Sequence, residues 1–299
     1  MLKVYVRTRH RDDAAADRVR QHAAHYGDLD ISPRNEAVDY WQFLRDVMAE
    51  CEDPYFVACH DDVVLPRNFG RQVAALVAEL EAGGTPWGIV GNAGISVNGK
   101  QIFRFISDVF GGPGTSAVPL AVAMLDGNCL LINRRAFSEK HVEIPDLSGF
   151  HGYDIALAAE SWRAGLAVLA DRRLFVVHNG RGNMAEWTSY VTGKEFSDYW
   201  LRRCGPVPAL TINGLVIFEG PTDARPLNEA IVQTIKKHSI AWSAPLPAAL
   251  DGYAADLERA DLWADLVEML PHADPINRLG NFPMTVPPNF PLITSRAQK

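Results

Sequence analysis

Short, continuous apolar runs separated by longer amphipathic stretches constrain the fold of this chain more than any other feature. The runs are "LKVYVRT" (Leu2–Thr8), "YFVAC" (Tyr55–Cys59), "WGIVGNAG" (Trp87–Gly94), "VPLAVAML" (Val118–Leu125), "CLLIN" (Cys129–Asn133), "LAVLA" (Leu166–Ala170) and "LFVVH" (Leu174–His178). They are short for helices and too uniformly apolar to leave one face in water, so they suit strands covered on both sides. Between them, apolar residues recur at helical spacing: Val19, Ala23 and Tyr26; Ala37, Trp41, Leu44 and Met48; Phe69, Val73, Leu76 and Leu80, stopping at Gly83–Gly84. "GYDIALAAESWRAG" is a further helix, ending at Gly165. The alternation predicts an α/β sheet flanked by helices.

From Val97 to Thr115 the pattern weakens, and "FGGPGTSA" reads as a mobile loop. "TINGLVIF" carries an Asn-Gly hairpin signal at Asn213–Gly214. Two helical stretches follow, about Leu227–His238 and Leu246–Leu270, and the last 29 residues carry six prolines and read as an extended arm. The expected division is a catalytic domain over 1–220 and a helical appendage with a Pro-rich arm over 221–299.

The formal charge of −7 argues against a nucleic-acid surface and against a polybasic membrane patch. No window approaches the roughly 20 apolar residues of a membrane span, and "MLKVYVRTRHRDD" lacks the apolar core of a signal peptide. Four scattered cysteines, Cys51, Cys59, Cys129 and Cys204, lack the CxxC spacing of a zinc site and read as reduced, mostly buried thiols. A cytoplasmic protein is expected, with peripheral attachment at the inner face of the membrane left open.

Three polar features fall at strand ends or at a helix start, where open α/β sheets place their ligands. In "CHDDVVLP", Asp61 and Asp62 stand side by side. They form either a solvated turn before Pro66 or a cation and diphosphate site, with Asp62 on the ion and Asp61 near a nucleotide ribose. In "SGFHGYDIALAAESWRAG", Asp154 stands where a helix begins and reads as an N-cap. Phe150, His151 and Tyr153 before it suit the wall of a pocket instead. In "LFVVHNGRG", His178 ends a strand as a structural residue or a metal ligand, and "NGRGN" adds a glycine loop with Arg181 suited to an anion.

The order of these pieces resembles family-2-type glycosyltransferases of the GT-A fold. The matching segments are "PRNEAV", "YFVACHDDVVLP", "GNAG", "DGNCLLINRRAF", "FHGYDIALAAESWRAGLAV" and "VVHNGRG", spread across roughly residues 30–185. The resemblance implies a Rossmann-like, mixed and mostly parallel sheet. It also implies transfer of a sugar from a nucleoside-diphosphate donor to an acceptor hydroxyl with inversion, in surface polysaccharide or glycoconjugate synthesis. Asp62 and His178 would hold Mn²⁺ or Mg²⁺, Asp154 would be the general base, and Asp126 in "DGN", with His151, Tyr153 and Arg181, would face the sugars.

The chain departs from the family pattern at its start. "VRTRHRD" follows the first strand, and no second strand is legible before Asp61. The nucleotide would therefore fall to Thr8, Arg9, Arg34 and Asp61. The expected partners are a nucleotide-sugar donor and a glycan or glycolipid acceptor, with no nucleic acid and no transmembrane segment. The C-terminal appendage offers a route to a homo-oligomer. Two other classes compete: a catalytically degenerate relative that binds a glycan or scaffolds an assembly, and a sugar-phosphate nucleotidyltransferase. The second would need a glycine-rich phosphate loop after the first strand, and "RTRHRDDAAAD" has no glycine.

Overall fold

The computed structural model describes residues 1–8, 13–97, 101–107, 119–178, 180, 182–206 and 209–218, and beyond these 231, 234, 237–238, 284–285 and 292–295. Its strands are β1 (Leu2–Arg7), β2 (Leu29–Arg34), β3 (Tyr55–His60), β4 (Val63–Val64), β5 (Trp87–Gly91), β6 (Ala93–Ser96), β7 (Gln101–Arg104) and β8 (Ile106–Ser107). They continue as β9 (Leu120–Leu125), β10 (Cys129–Asn133), β11 (Ala167–Ala170), β12 (Val176–His178), β13 (Ala209–Thr211), β14 (Gly214–Phe218), β15 (Met284–Thr285) and β16 (Leu292–Ser295). The helices are α1 (Asp13–Ala23), α2 (Tyr40–Glu50), α3 (Phe69–Ala82), α4 (Arg134–Glu139), α5 (Tyr153–Arg163), α6 (Met184–Val191) and α7 (Lys194–Cys204).

One sheet dominates, in the order β15-β7-β6-β9-β11-β5-β10-β3-β1-β2. Its pairings make β1, β2, β3, β5, β6, β11 and β15 run one way and β7, β9 and β10 the other. The sheet is thus mixed and mostly parallel. The central strands β3, β5, β9, β10 and β11 are buried along nearly their whole length, as their unbroken apolar runs require.

Several segments differ from the sequence reading, among them β7, β8 and α4, which it left unassigned. β2 exists and pairs in parallel with β1, Leu2 opposite Leu29 through Arg7 opposite Arg34. "LDISPR" escapes notice because Pro33 argues against a strand. β2 lies at the sheet edge, where a residue without an N–H is tolerated. "WGIVGNAG" is two strands broken at Asn92, whose backbone carbonyl accepts from the N–H of Phe105 at 2.7 Å. Residues 184–204, unassigned from sequence, form α6 and α7. The "NG" hairpin is present as β13 and β14, and β14 also pairs in parallel with β16 from the Pro-rich tail. The "FGGPGTSA" loop and most of 227–270 lie outside the described residues.

α5 runs through the middle of the protein. Tyr153 and Ile155 through Trp162 are buried, so the helix is enclosed on all sides. The indole N–H of Trp162 donates to the carbonyls of Val122 and Ala123 on β9, at 3.1 and 3.2 Å. The cost of burying Glu160 is offset by Tyr199 Oη at 2.9 Å and by a bidentate Arg203, with both nitrogens at 2.6 Å. This ties α7 to α5. Arg203→Ala leaves that carboxylate with poorer partners and is expected to lower stability by about 2 kcal/mol, read as a drop in denaturation midpoint. An unchanged midpoint would show that Arg163, 3.6 Å away, neutralises Glu160 unaided.

Candidate active site

The site is assembled at the carboxyl ends of β1, β3 and β12. His60 is the last residue of β3, and the chain then turns through Asp61 and Asp62 into β4. β4 pairs antiparallel with β12 and sets Val63 opposite His178. That pairing carries His178, 116 positions along the chain, to the side of Asp62. Asp62 Oδ1 lies 3.3 Å from Nε2 of His178 and 3.9 Å from Nδ1 of His60. One ligand atom from each of the three residues falls within 4.8 Å of the others.

These residues fit a divalent cation. Bonds of about 2.1 Å at right angles place neighbouring ligand atoms about 3 Å apart, and trans ligands about 4.2 Å. The observed separations lie in that range or slightly above it. Asp62 Oδ1 is enclosed and, among the described residues, accepts no well-aligned hydrogen bond. A Cβ on Gly180 would lie 2.4 Å from Asp62 Oδ2 and 2.6 Å from His178 Nε2, so the missing side chain keeps that volume open. Burial tends to raise the Asp62 carboxyl, but the hydrogen bond and charge of His178 outweigh it and hold the group below the usual carboxylate range. Burial holds His60 below the ordinary imidazole value, against the pull of Asp62. A carboxylate and a neutral imidazole are the forms that bind metal.

Beside the cluster stands the start of α5. Its cap position is Gly152, at φ +75°, where a Cβ would strike Phe196 at 2.6 Å. Asp154 is therefore not the N-cap but the second helical residue, with Oδ1 accepting from the N–H of Ile155 at 2.9 Å. Burial, and then the negative charge of Asp126, push its carboxyl up to about 7. The charge of Asp126 also acts on His60. The loop before α5 is locked to α2 through Asp39. Its Oδ1 caps Gln42 N–H at 2.8 Å and its Oδ2 accepts from Gly149 N–H at 2.9 Å.

The other predicted residues are spread more widely. Asp61 is half-buried and its charge acts on Arg7, the residue paired with His60 across the sheet. Thr8 is 1% exposed and, among the described residues, its hydroxyl has no hydrogen-bond partner. Arg34 lies one strand further out, bound to Glu50 at 2.6 Å and Glu36 at 3.3 Å and stacked over Tyr5. His151 lies against Glu186, 3.6 Å away on α6. Tyr153, expected to line a pocket, is 3% exposed and touches His60 instead, with 2.5 Å between Oη and Nε2. Arg9 and Arg181 lie outside the described residues.

Sequence reasoning missed His60, Gly180 and Arg7. His60 was legible only as the neighbour of the Asp61–Asp62 pair, because the turn through those two residues, not strand alternation, sets which side chain faces it. Arg7 is 4% exposed; its Nη2 donates to Ala37 O at 3.0 Å and its guanidinium lies 5.2 Å from the Phe150 ring centre. All four cysteines are free and buried, as expected. Among the described residues no helix is long and apolar enough to cross a membrane.

No family model matches the chain. A curated protein of Fuscovulum blasticum, "ATP synthase subunits region ORF 6", is 34% identical over 148 residues, 46% of this chain and 56% of that one. The match thus spans little more than half the relative's length. Among solved structures, TarS 1-349 of S. aureus in complex with UDP-GlcNAc aligns over 66% of this chain and 64% of its own, with 9% identity and a TM-score of 0.45. The mannosyltransferase PcManGT of Pyrobaculum calidifontis, in complex with GDP-Man and Mn²⁺, aligns over 90% and 80%, with 11% identity and a TM-score of 0.44. Likenesses this shallow identify neither donor nor reaction.

Proposed function

We propose that the chain is a metal-dependent, inverting glycosyltransferase of the GT-A, family-2 type. It would move a sugar from a nucleoside-diphosphate donor to an acceptor hydroxyl of a glycan or glycolipid, in polysaccharide or glycoconjugate synthesis. One observation carries the reading: His60, Asp62 and His178 come together, and Tyr153, which touches His60, is followed in the chain by Asp154, a carboxyl raised to about 7. A cation site next to a base poised near neutrality is what this transfer needs.

Asp62, His178 and His60 would hold the cation. Once bound, the cation supplies positive charge against the diphosphate's growing negative charge. The bond between the anomeric carbon and the diphosphate oxygen breaks, and the nucleoside diphosphate leaves with the electron pair. The acceptor oxygen forms the new bond on the opposite face as Asp154 takes its proton. Burial, and then the charge of Asp126, keep Asp154 basic enough for that task. Two imidazoles and one carboxylate favour Mn²⁺ over Mg²⁺, which prefers an all-oxygen shell.

Asp62→Ala removes a ligand at a partly exposed strand tip. It is expected to abolish Mn²⁺-dependent binding of a nucleoside diphosphate while moving the melting temperature little. Calorimetry with UDP and GDP, with and without Mn²⁺, makes the measurement, and unchanged binding would remove the metal assignment. The same donor set also suits Fe(II) in oxygenases. Oxygen consumption dependent on Fe(II), without nucleotide binding, would favour that second reading.

A further inference from the structure

Tyr153 ends the "FHGY" segment, yet its ring lies inside the protein, stacked on Tyr40 with centroids 3.8 Å apart and planes at 13°. Its hydroxyl meets His60 Nε2 at 2.5 Å and the carbonyl oxygen of Gly127 at 3.0 Å, with the Tyr40 hydroxyl also within reach. A phenol has one proton. A carbonyl can only accept, so for both contacts to be hydrogen bonds the proton of Tyr153 goes to Gly127 and Nε2 of His60 carries hydrogen and donates.

The other ring nitrogen supports the same assignment. Nδ1 of His60 lies 3.9 Å from Asp62 Oδ1, beyond hydrogen-bond range, so a proton there would gain no partner from that carboxylate. We infer that Tyr153 is a positioning residue: it holds His60 with the proton on Nε2 and leaves the Nδ1 lone pair facing Asp62 and His178, ready for a cation. The inference rests on the proposed metal site.

The "DGN" turn completes the support. Asn128 O accepts from the backbone N–H of His60 at 3.1 Å, which fixes the strand end. A Cβ on Gly127 would lie 2.4 Å from Tyr153 Oη, so only glycine lets the phenol reach that carbonyl. Metal-binding histidines generally donate their second N–H to a partner that fixes tautomer and ring orientation. Here a tyrosine bound to a backbone carbonyl fills that role.

The test reads the imidazole nitrogens directly. Long-range ¹H–¹⁵N spectra of the metal-free wild type should show His60 protonated on Nε2 and unprotonated on Nδ1. Tyr153→Phe keeps the ring stack and removes the oxygen. It should give a tautomer mixture and weaken Mn²⁺, titrated by calorimetry, about 10–100-fold. A wild-type His60 protonated on Nδ1, or a Tyr153→Phe protein with unchanged tautomer and affinity, would overturn the inference. If wild type binds no Mn²⁺, the metal reading falls while the tautomer spectrum still decides the role of Tyr153. Should Tyr153→Phe fail to fold, Gly127→Ala, which displaces the phenol, is read the same way.

Discussion

Asp154→Asn is expected to lower transfer by about 10²–10⁴-fold while leaving nucleoside-diphosphate affinity nearly unchanged. Asparagine keeps the size of the side chain and an oxygen for the Ile155 N–H, so the start of α5 survives. What it loses is the ability to accept a proton at neutral pH. Donor affinity is the internal control, because no cluster residue is altered. Near-normal turnover would reduce Asp154 to a structural residue and leave the base unidentified.

The pH behaviour follows from the raised carboxyl. Its ionised fraction falls below about 7, so wild-type turnover should drop about tenfold per unit on the acid side. Stability runs the other way. An unfolded Asp releases its proton near 4, and the folded one retains it to about 7. Native Asp154 therefore stabilises the protein below about 4, and that contribution is lost as pH rises to about 7. Asparagine has no charge to desolvate, so above pH 7 the variant should melt higher than wild type, by about 1–3 kcal/mol. A variant less stable at pH 8 would show that burial does not raise this carboxyl.

The second large effect is expected from Gly180→Ala. A methyl at that position would enter the space between Asp62 Oδ2 and His178 Nε2, closer than any real contact. Gly180 does not have a positive φ, so alanine meets no backbone strain there. Mn²⁺ affinity should fall by at least about 100-fold with little change in melting. Calorimetry and thermal melting on one preparation read both. Unchanged affinity would mean that the cation, if bound, does not sit among these three residues.

Much of the layered architecture was legible because it depends on local chemistry. Continuous apolar runs such as "YFVAC" and "CLLIN" mark strands buried on both faces. The spacing of Phe69, Val73, Leu76 and Leu80 marks α3. The motifs at Asp62, Asp154 and His178 were visible as residue types at element ends. β2 was not, because Pro33 speaks against a strand in any local reading, and only its place at the sheet edge makes it tolerable.

Local residue patterns mark the buried central strands, α1, α2, α3 and α5, the buried thiols and the residue types that meet at the site. Tertiary structure alone decided which of those residues meet. The β4–β12 pairing brings His178 to Asp62 across 116 positions, and strand direction turns His60 inward beside them. Packing of α5 takes Tyr153 out of the pocket and sets it behind His60, while burial and Asp126 lift Asp154 toward neutrality. Proximity, desolvation and the direction of a single proton depend on distances of a few ångströms between segments far apart in the chain. Residue order does not encode those distances locally; the folded packing sets them.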